Sequence, residues 1–207
     1  TMIEQECIDE LADMCGVGSE VKKITTRAMN GELGFNDALS ERVSLLAQCS
    51  SSIVEQVLEK RITLRSGGKT LVSTMKANGA YTALVSGGFT AFSIPIGTNL
   101  GFHEQHANIL VEENGVFTGK VAEPILGKNE KVNQLNRLVK ERGLMHSDVL
   151  AVGDGANDLG MLAIAGIGVA MHAKPIVAEK CDIVINHCDL SSLLYLQGYK
   201  KEDFIST

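Results

Sequence analysis

The stretch Val149–Asp158, VLAVGDGAND, constrains the fold more than any other part of the chain. Val149–Val152 has the length and branching of a buried parallel strand. Gly153 and Gly155 permit a tight turn with close backbone approach. Asn157 and Asp158 then open a helix that continues as LGMLAIAG. In an open α/β sheet, ligands sit where the carboxyl end of a strand gives way to a helix. Asp154 is placed there. A lone Gly-Asp-Gly is also an ordinary capped turn. An aspartate between two glycines, followed by Asn and Asp, suits a hard cation held by oxygens.

The remaining segments fit that frame. From Lys69 onward, strands alternate with helices, which argues for a parallel sheet covered on both faces. Lys69–Ala77 reads as a helix, Tyr81–Val85 as a strand leading into Ser86-Gly87-Gly88, and Phe89–Leu100 as a helix with Pro95 inside. A proline there predicts a kink or a split. Asn108–Val111 and Val116–Val121 flank an Asn-Gly turn, the signal of a hairpin. Glu130–Arg142 is a long amphipathic helix. Strands follow at Ile167–Met171 and Asp182–Ile185, with a short helix at Ile176–Lys180. Asp189 is placed to cap a last helix, Leu190–Leu196.

Before Lys69 the pattern is different. Four amphipathic helices with short connections run over Glu4–Met14, Val21–Met29, a third capped by Asn36 or Asp37 and ending near Ala47, and Ile53–Arg61. Ser52 and Glu55 have the spacing of a capping box for the fourth. These helices predict a small unit, residues 1–63, joined to an α/β core, residues 64–207.

Composition excludes several classes. A formal net charge of −6 gives no support to nucleic-acid binding. No apolar run reaches eighteen residues, and no basic region leads into an apolar one, so neither a membrane span nor a signal peptide is visible. The five cysteines are dispersed, odd in number and without a CxxC. That pattern predicts reduced, small buried thiols in a cytoplasmic protein. His103 and His106 are three apart, but no acidic cluster completes a metal site; His172 reads as a loop-packing residue.

Ser86, Gly87 and Gly88 sit between a strand and a helix, where a hydroxyl and backbone N–H groups can cradle a phosphate. Lys128 and Lys131, in GKNEKVNQL, are both candidate cations facing it.

Taken together, ECIDELA, ERVSLL, VSGGF, VAVGDGANDLGML and AMHAKP resemble the haloacid dehalogenase (HAD) superfamily, and most closely its bacterial phosphoserine phosphatases. The resemblance implies a HAD-type Rossmann-like parallel sheet with a helical cap. It implies Mg2+ on Asp154, phosphate on Ser86 and Lys131, and Asn157 and Asp158 as supporting groups. Asp158 would hold either a metal-bound water or the lysine. It also implies O-phospho-L-serine as the substrate, its ammonium on Glu6 and its carboxylate on Arg42, since arginine suits bidentate carboxylate binding. Met29 and Phe35 would close over the ligand. The alternatives are a HAD phosphatase or phosphotransferase acting on another small phosphorylated metabolite, and a noncatalytic Mg2+- or metabolite-binding protein. A homodimer is left open.

One departure matters. HAD phosphatases use an Asp-x-Asp-x-Thr motif whose first Asp attacks phosphorus and whose second transfers protons. No Asp-x-Asp occurs in the 207 residues. Thr1 matches the closing Thr of that motif. The expectation is therefore a nucleophile and a central strand upstream of Thr1, a gap in the sheet without them, and no turnover by these residues alone.

Overall fold

The computed structural model describes residues 1–29 and 32–205, with the side chains of Met29 and Lys128 outside the description. Four helices come first: α1 (Cys7–Met14), α2 (Gly18–Met29), α3 (Phe35–Ser44) and α4 (Ile53–Lys60). Their apolar stripes turn inward, with Leu11, Val21, Val43, Leu46 and Val57 fully buried. The same cluster takes in Phe89, Phe92, Ile96, Leu100 and Phe117 from the rest of the chain.

The α/β part follows as α5 (Gly68–Ala77), β1 (Ala83–Phe89), α6 (Thr90–Leu100), β2 (Glu104–Asn108), β3 (Leu110–Glu113), β4 (Val116–Val121) and α7 (Lys128–Glu141). It continues through β5 (Leu150–Gly153), α8 (Leu159–Ile164), β6 (Ile167–Met171), α9 (Pro175–Ala178), β7 (Ile183–Ile185) and α10 (Ser192–Leu196). β1 pairs parallel with β2, and β5-β6-β7 form a second parallel set. β3 and β4 make the expected hairpin, with Asn114 and Gly115 both at positive φ.

Among the described residues β1 and β5 share no ladder, so the parallel sheet is in two pieces. A groove of about 630 Å3 runs between them, lined by Ala83, Val85, Leu135, Ala151 and Val152, with Thr1 and Met2 among its wall residues. The gap expected in the sheet is present. Val169, Ala170 and Met171 of β6, flanked on both sides, are buried.

Several local expectations need correction. Strand β1 runs through Ser86-Gly87-Gly88 instead of ending before them, with an irregular register between Val85 and Phe89. β2 carries Gln105, His106 and Asn108 and has no apolar alternation that would mark it as a strand. Pro95 neither splits nor ends α6. Its helix is pinned by buried Phe92, Ile96 and Leu100. Ser52 makes no capping bond to α4 and instead meets the Ser50 hydroxyl at 2.8 Å. α3 starts at Phe35 after Gly34, with no side-chain cap from Asn36 or Asp37. Asp189 does not cap the last helix: α10 has Ser191 as its N-cap without a side-chain capping bond, and Asp189 accepts the Ser191 N–H at 2.9 Å and its hydroxyl at 2.6 Å in the turn before it.

The reduced-thiol expectation also fails. Cys15 and Cys49 form a disulfide. The reason is tertiary: bonds from Gln48 N–H to Phe117 O and from Phe117 N–H to Cys49 O hold the turn after α3 against β4. This brings Cys49 to the end of α1 with a Cα–Cα distance of 6.0 Å. Cys188 is exposed and not a buried apolar residue.

Candidate active site

The site is built at the carboxyl ends of β1 and β5. Gly153 ends β5, and a methyl group there would come within 2.4 Å of the Asp158 Cβ. Only glycine lets the chain fold back so tightly. Asp158, 3% exposed, is thereby tucked beneath its own loop. Its Oδ2 accepts the N–H groups of Asp154 and Gly155 at 3.0 and 2.9 Å, and its Oδ1 accepts Lys131 Nζ at 2.5 Å. Of the two roles open to Asp158, the contacts match the lysine partner.

Lys131 lies one turn into α7 and is buried beside Asp158. A buried ammonium needs such a partner, because desolvation is costly for an unpaired charge. Asp154 is less enclosed. It accepts a hydrogen bond from the hydroxyl of Thr1.

The turn in β1 faces this loop. Gly88 donates its N–H to Ser86 Oγ at 3.0 Å. A methyl group on Gly87 would lie 3.3 Å from Asn157 Nδ2 and 3.2 Å from the Phe35 ring. Phe35 also borders Gly127, just before α7. Three regions far apart in sequence therefore converge on Gly87: the GDGAND loop, the first turn of α3 and β1 itself.

The helical unit supplies the remaining charges. Glu6 precedes α1 and is exposed; Arg42 lies on α3, half-buried, its Nε bonded to Ala38 O at 3.1 Å. Burial pulls the Arg42 guanidinium down, opposed by Asp9 first and then Glu6. Asp9, one helical turn beyond Glu6, has a buried Oδ1 with no hydrogen-bond partner. Its carboxyl is pushed up by burial, against the pull of Arg42 and Lys22. The sequence offers no reason to single it out. Met29 as a closing residue lies outside the described side chains. His103 stacks on Tyr81 at 4.5 Å, and His106 meets Glu104 at 3.2 Å, both on the outer surface of the β1–β2 pair. His172 packs a loop, as expected, through Nε2 and Cys188 O.

The donor set fits a hard cation in part. Asp154 offers a carboxylate at the edge of the loop, and Mg2+ is commonly held by one or two carboxylates, waters and substrate phosphate. Among the described residues no group of three His, Cys, Asp or Glu side chains stands ready to hold a metal. The chain thus provides one strong ligand and not a complete cage. No helix among the described residues is long and apolar enough to cross a membrane.

Comparison with known proteins agrees with this geometry. The haloacid dehalogenase-like hydrolase family matches residues 1–163. A phosphoserine phosphatase of Methanocaldococcus jannaschii is 42% identical over 194 residues, covering 94% of this chain and 92% of the relative. One of Archaeoglobus fulgidus is 41% identical over 93% of this chain, which spans only 56% of that relative's length. Among solved structures, a substrate-bound phosphoserine phosphatase superposes with a TM-score of 0.88 at 41% identity, covering 95% of this chain and 93% of its own. A HAD family hydrolase from Salmonella enterica serovar Typhi gives 0.90 at 33% identity, covering 95% of this chain and 68% of its own. The aspartate loop, the lysine it holds and the glycine turn opposite thus stand in a chain that belongs to the haloacid dehalogenase-like hydrolases and, within them, to the phosphoserine phosphatase family.

Proposed function

We propose that this chain carries the substrate-binding and charge-stabilising part of a Mg2+-dependent phosphoserine phosphatase, which hydrolyses O-phospho-L-serine to L-serine and phosphate. The observation that carries the reading is the convergence on Gly87. The Ser86 hydroxyl, its Oγ held by the Gly88 N–H, supplies a phosphate donor, Asn157 approaches from the GDGAND loop, and Phe35 covers the turn. Lys131, fixed by Asp158, directs positive charge toward the phosphoryl oxygens as charge develops. Mg2+, when bound by Asp154, would neutralise phosphate charge and orient it for attack. Glu6 takes the substrate ammonium and Arg42 its carboxylate. Residues 1–63 act as a cap that excludes water, and residues 64–207 as the core.

The attacking carboxylate of the family mechanism is not among these residues. Neither Asp154 nor Asp158 replaces it: Asp154 is the residue that would hold Mg2+, and Asp158 is bound to Lys131 and two amides. We therefore expect these 207 residues to bind phosphoserine without turning it over.

Calorimetric titration with Mg2+ tests this reading. O-phospho-L-serine should bind more tightly than O-phosphoethanolamine, which lacks the carboxylate, and than a sugar phosphate. Arg42→Ala should weaken phosphoserine by about tenfold or more, the loss of a charge-assisted pair, and leave phosphoethanolamine unchanged. A preference for the sugar phosphate would overturn the assignment; phosphate release from phosphoserine by the unaltered chain would overturn the expectation of binding without turnover.

A further inference from the structure

The Ser86–Gly88 turn poses a structural problem. The register of β1 against β2 breaks between Val85 and Phe89, so the ladder does not orient the peptides in between. Two of those residues are glycines, which resist a peptide flip least. Yet the Gly87–Gly88 peptide has a definite orientation, with its N–H turned to Ser86 Oγ.

Asn108 accounts for that orientation. It is the last residue of β2 and is 2% exposed. Its Nδ2 donates to Gly87 O at 3.0 Å and to Leu126 O at 3.3 Å, while its Oδ1 accepts the Leu126 N–H at 2.6 Å. In a trans peptide the C=O and the N–H point in opposite directions. Holding the Gly87 carbonyl toward Asn108 therefore turns the Gly88 N–H the other way, onto Ser86 Oγ. The same side chain grips both backbone groups of Leu126, immediately before Gly127 and the start of α7, which carries Lys131.

We propose that Asn108 is a positioning residue: it locks the Gly87–Gly88 peptide with its N–H on the phosphate side and ties that turn to the start of the lysine helix. The inference rests on the phosphate reading of Ser86–Gly88. Asn108 does not touch the phosphate; it acts through the peptide it holds. A buried amide with both donor hydrogens and one acceptor lone pair engaged is costly to replace, because each partner is left unsatisfied.

Two variants separate positioning from mere stability. Asn108→Asp keeps the acceptor for Leu126 N–H but sets oxygen against the Gly87 and Leu126 carbonyls. Asn108→Ala removes all three bonds. Val57→Ala, in the buried core of the helical unit, serves as a destabilised control. Binding of inorganic phosphate with Mg2+ is measured by calorimetry on the folded proteins, and unfolding by circular dichroism. Both Asn108 variants should lose about tenfold or more in phosphate affinity, while Val57→Ala lowers the unfolding temperature and leaves that affinity unchanged. Asn108 variants that lose stability but bind phosphate as the parent does would overturn the inference and leave the functional reading standing. A parent chain that binds no phosphate would overturn both. Should the variants not fold, the 15N-labelled parent decides. The Asn108 side-chain amide should be protected from exchange and should shift together with the Gly88 amide as phosphate is added. An Asn108 amide that does not respond at saturation would refute the role.

Discussion

The charged groups of the two parts of the chain are built on different terms. Lys131 and Asp158 lie in the α/β part, their side chains 8% and 5% exposed and 2.5 Å apart. Asp158 has further bonds to two backbone amides, so the chain itself satisfies this pair before any ligand arrives. Glu6 and Arg42 lie in the helical unit. Glu6 is exposed, Arg42 is half-buried, and the carboxylate beside them, Asp9, keeps a buried oxygen without a donor. The inner pair is pre-organised, which suits electrostatic stabilisation of a reacting group. The outer charges are left with open valences, which suits recognition of a ligand that brings its own charges. On the proposed function, one site would draw stability from one half and selectivity from the other.

The largest expected effect breaks the inner pair. Asp158→Ala leaves a buried ammonium unpaired and two amides without acceptors. It should lower unfolding free energy by about 3–5 kcal/mol, read from the midpoint of urea denaturation. A loss no larger than that of an ordinary surface substitution would show that the two halves do not differ in the way described.

A smaller effect sharpens the comparison from the other side. The helical unit has a covalent link where the inner half has an ion pair: Cys15–Cys49 joins the end of α1 to the turn after α3. Reduction, or Cys49→Ser, should lower stability by about 2–4 kcal/mol and should loosen α1 and α3, the helix that follows Glu6 and the helix bearing Arg42. Hydrogen exchange would locate the change; protection lost in β5 and β6 instead would contradict the division.

The smallest effect concerns Asp9. Burial raises its carboxyl above the ordinary value, more than Arg42 lowers it. A group whose folded pKa is raised favours the protonated folded state. Its destabilising contribution is absent below the unfolded carboxylate value of about 3.9 and fully present once pH exceeds the folded value. Asp9→Asn should therefore stabilise the chain slightly at neutral pH and give no gain in acid. Urea midpoints at the two pH values test the sign; a gain only in acid would reverse the account.

Much of the site is legible in the amino-acid order. A β-branched run ending in GDGAND can do little except end a buried strand at a ligand edge, and Asp154 and Asp158 stand at that edge. Ser86-Gly87-Gly88 is legible as a turn opposite it, although not as part of a strand. Asn108 is not legible at all. Nothing in EQHAN marks a strand, and the value of Asn108 lies in Gly87 and Leu126, 21 and 18 residues away in sequence. The disulfide is hidden for a similar reason: 34 residues separate Cys15 from Cys49, and only the hairpin at β4 draws the second to the first.

The sequence by itself determined the class of fold, the two kinds of segment, the hairpin and the chemistry of the aspartate loop. These depend on periodicity, turn residues and short-range geometry, which local patterns carry. Tertiary structure alone decided that Asp158 takes Lys131, that Phe35 and Asn157 meet at Gly87, and that the buried Asn108 amide joins the Ser86–Gly88 turn to Leu126. Each of these depends on which distant surfaces pack together and leave a polar group to be satisfied, and no local pattern encodes that.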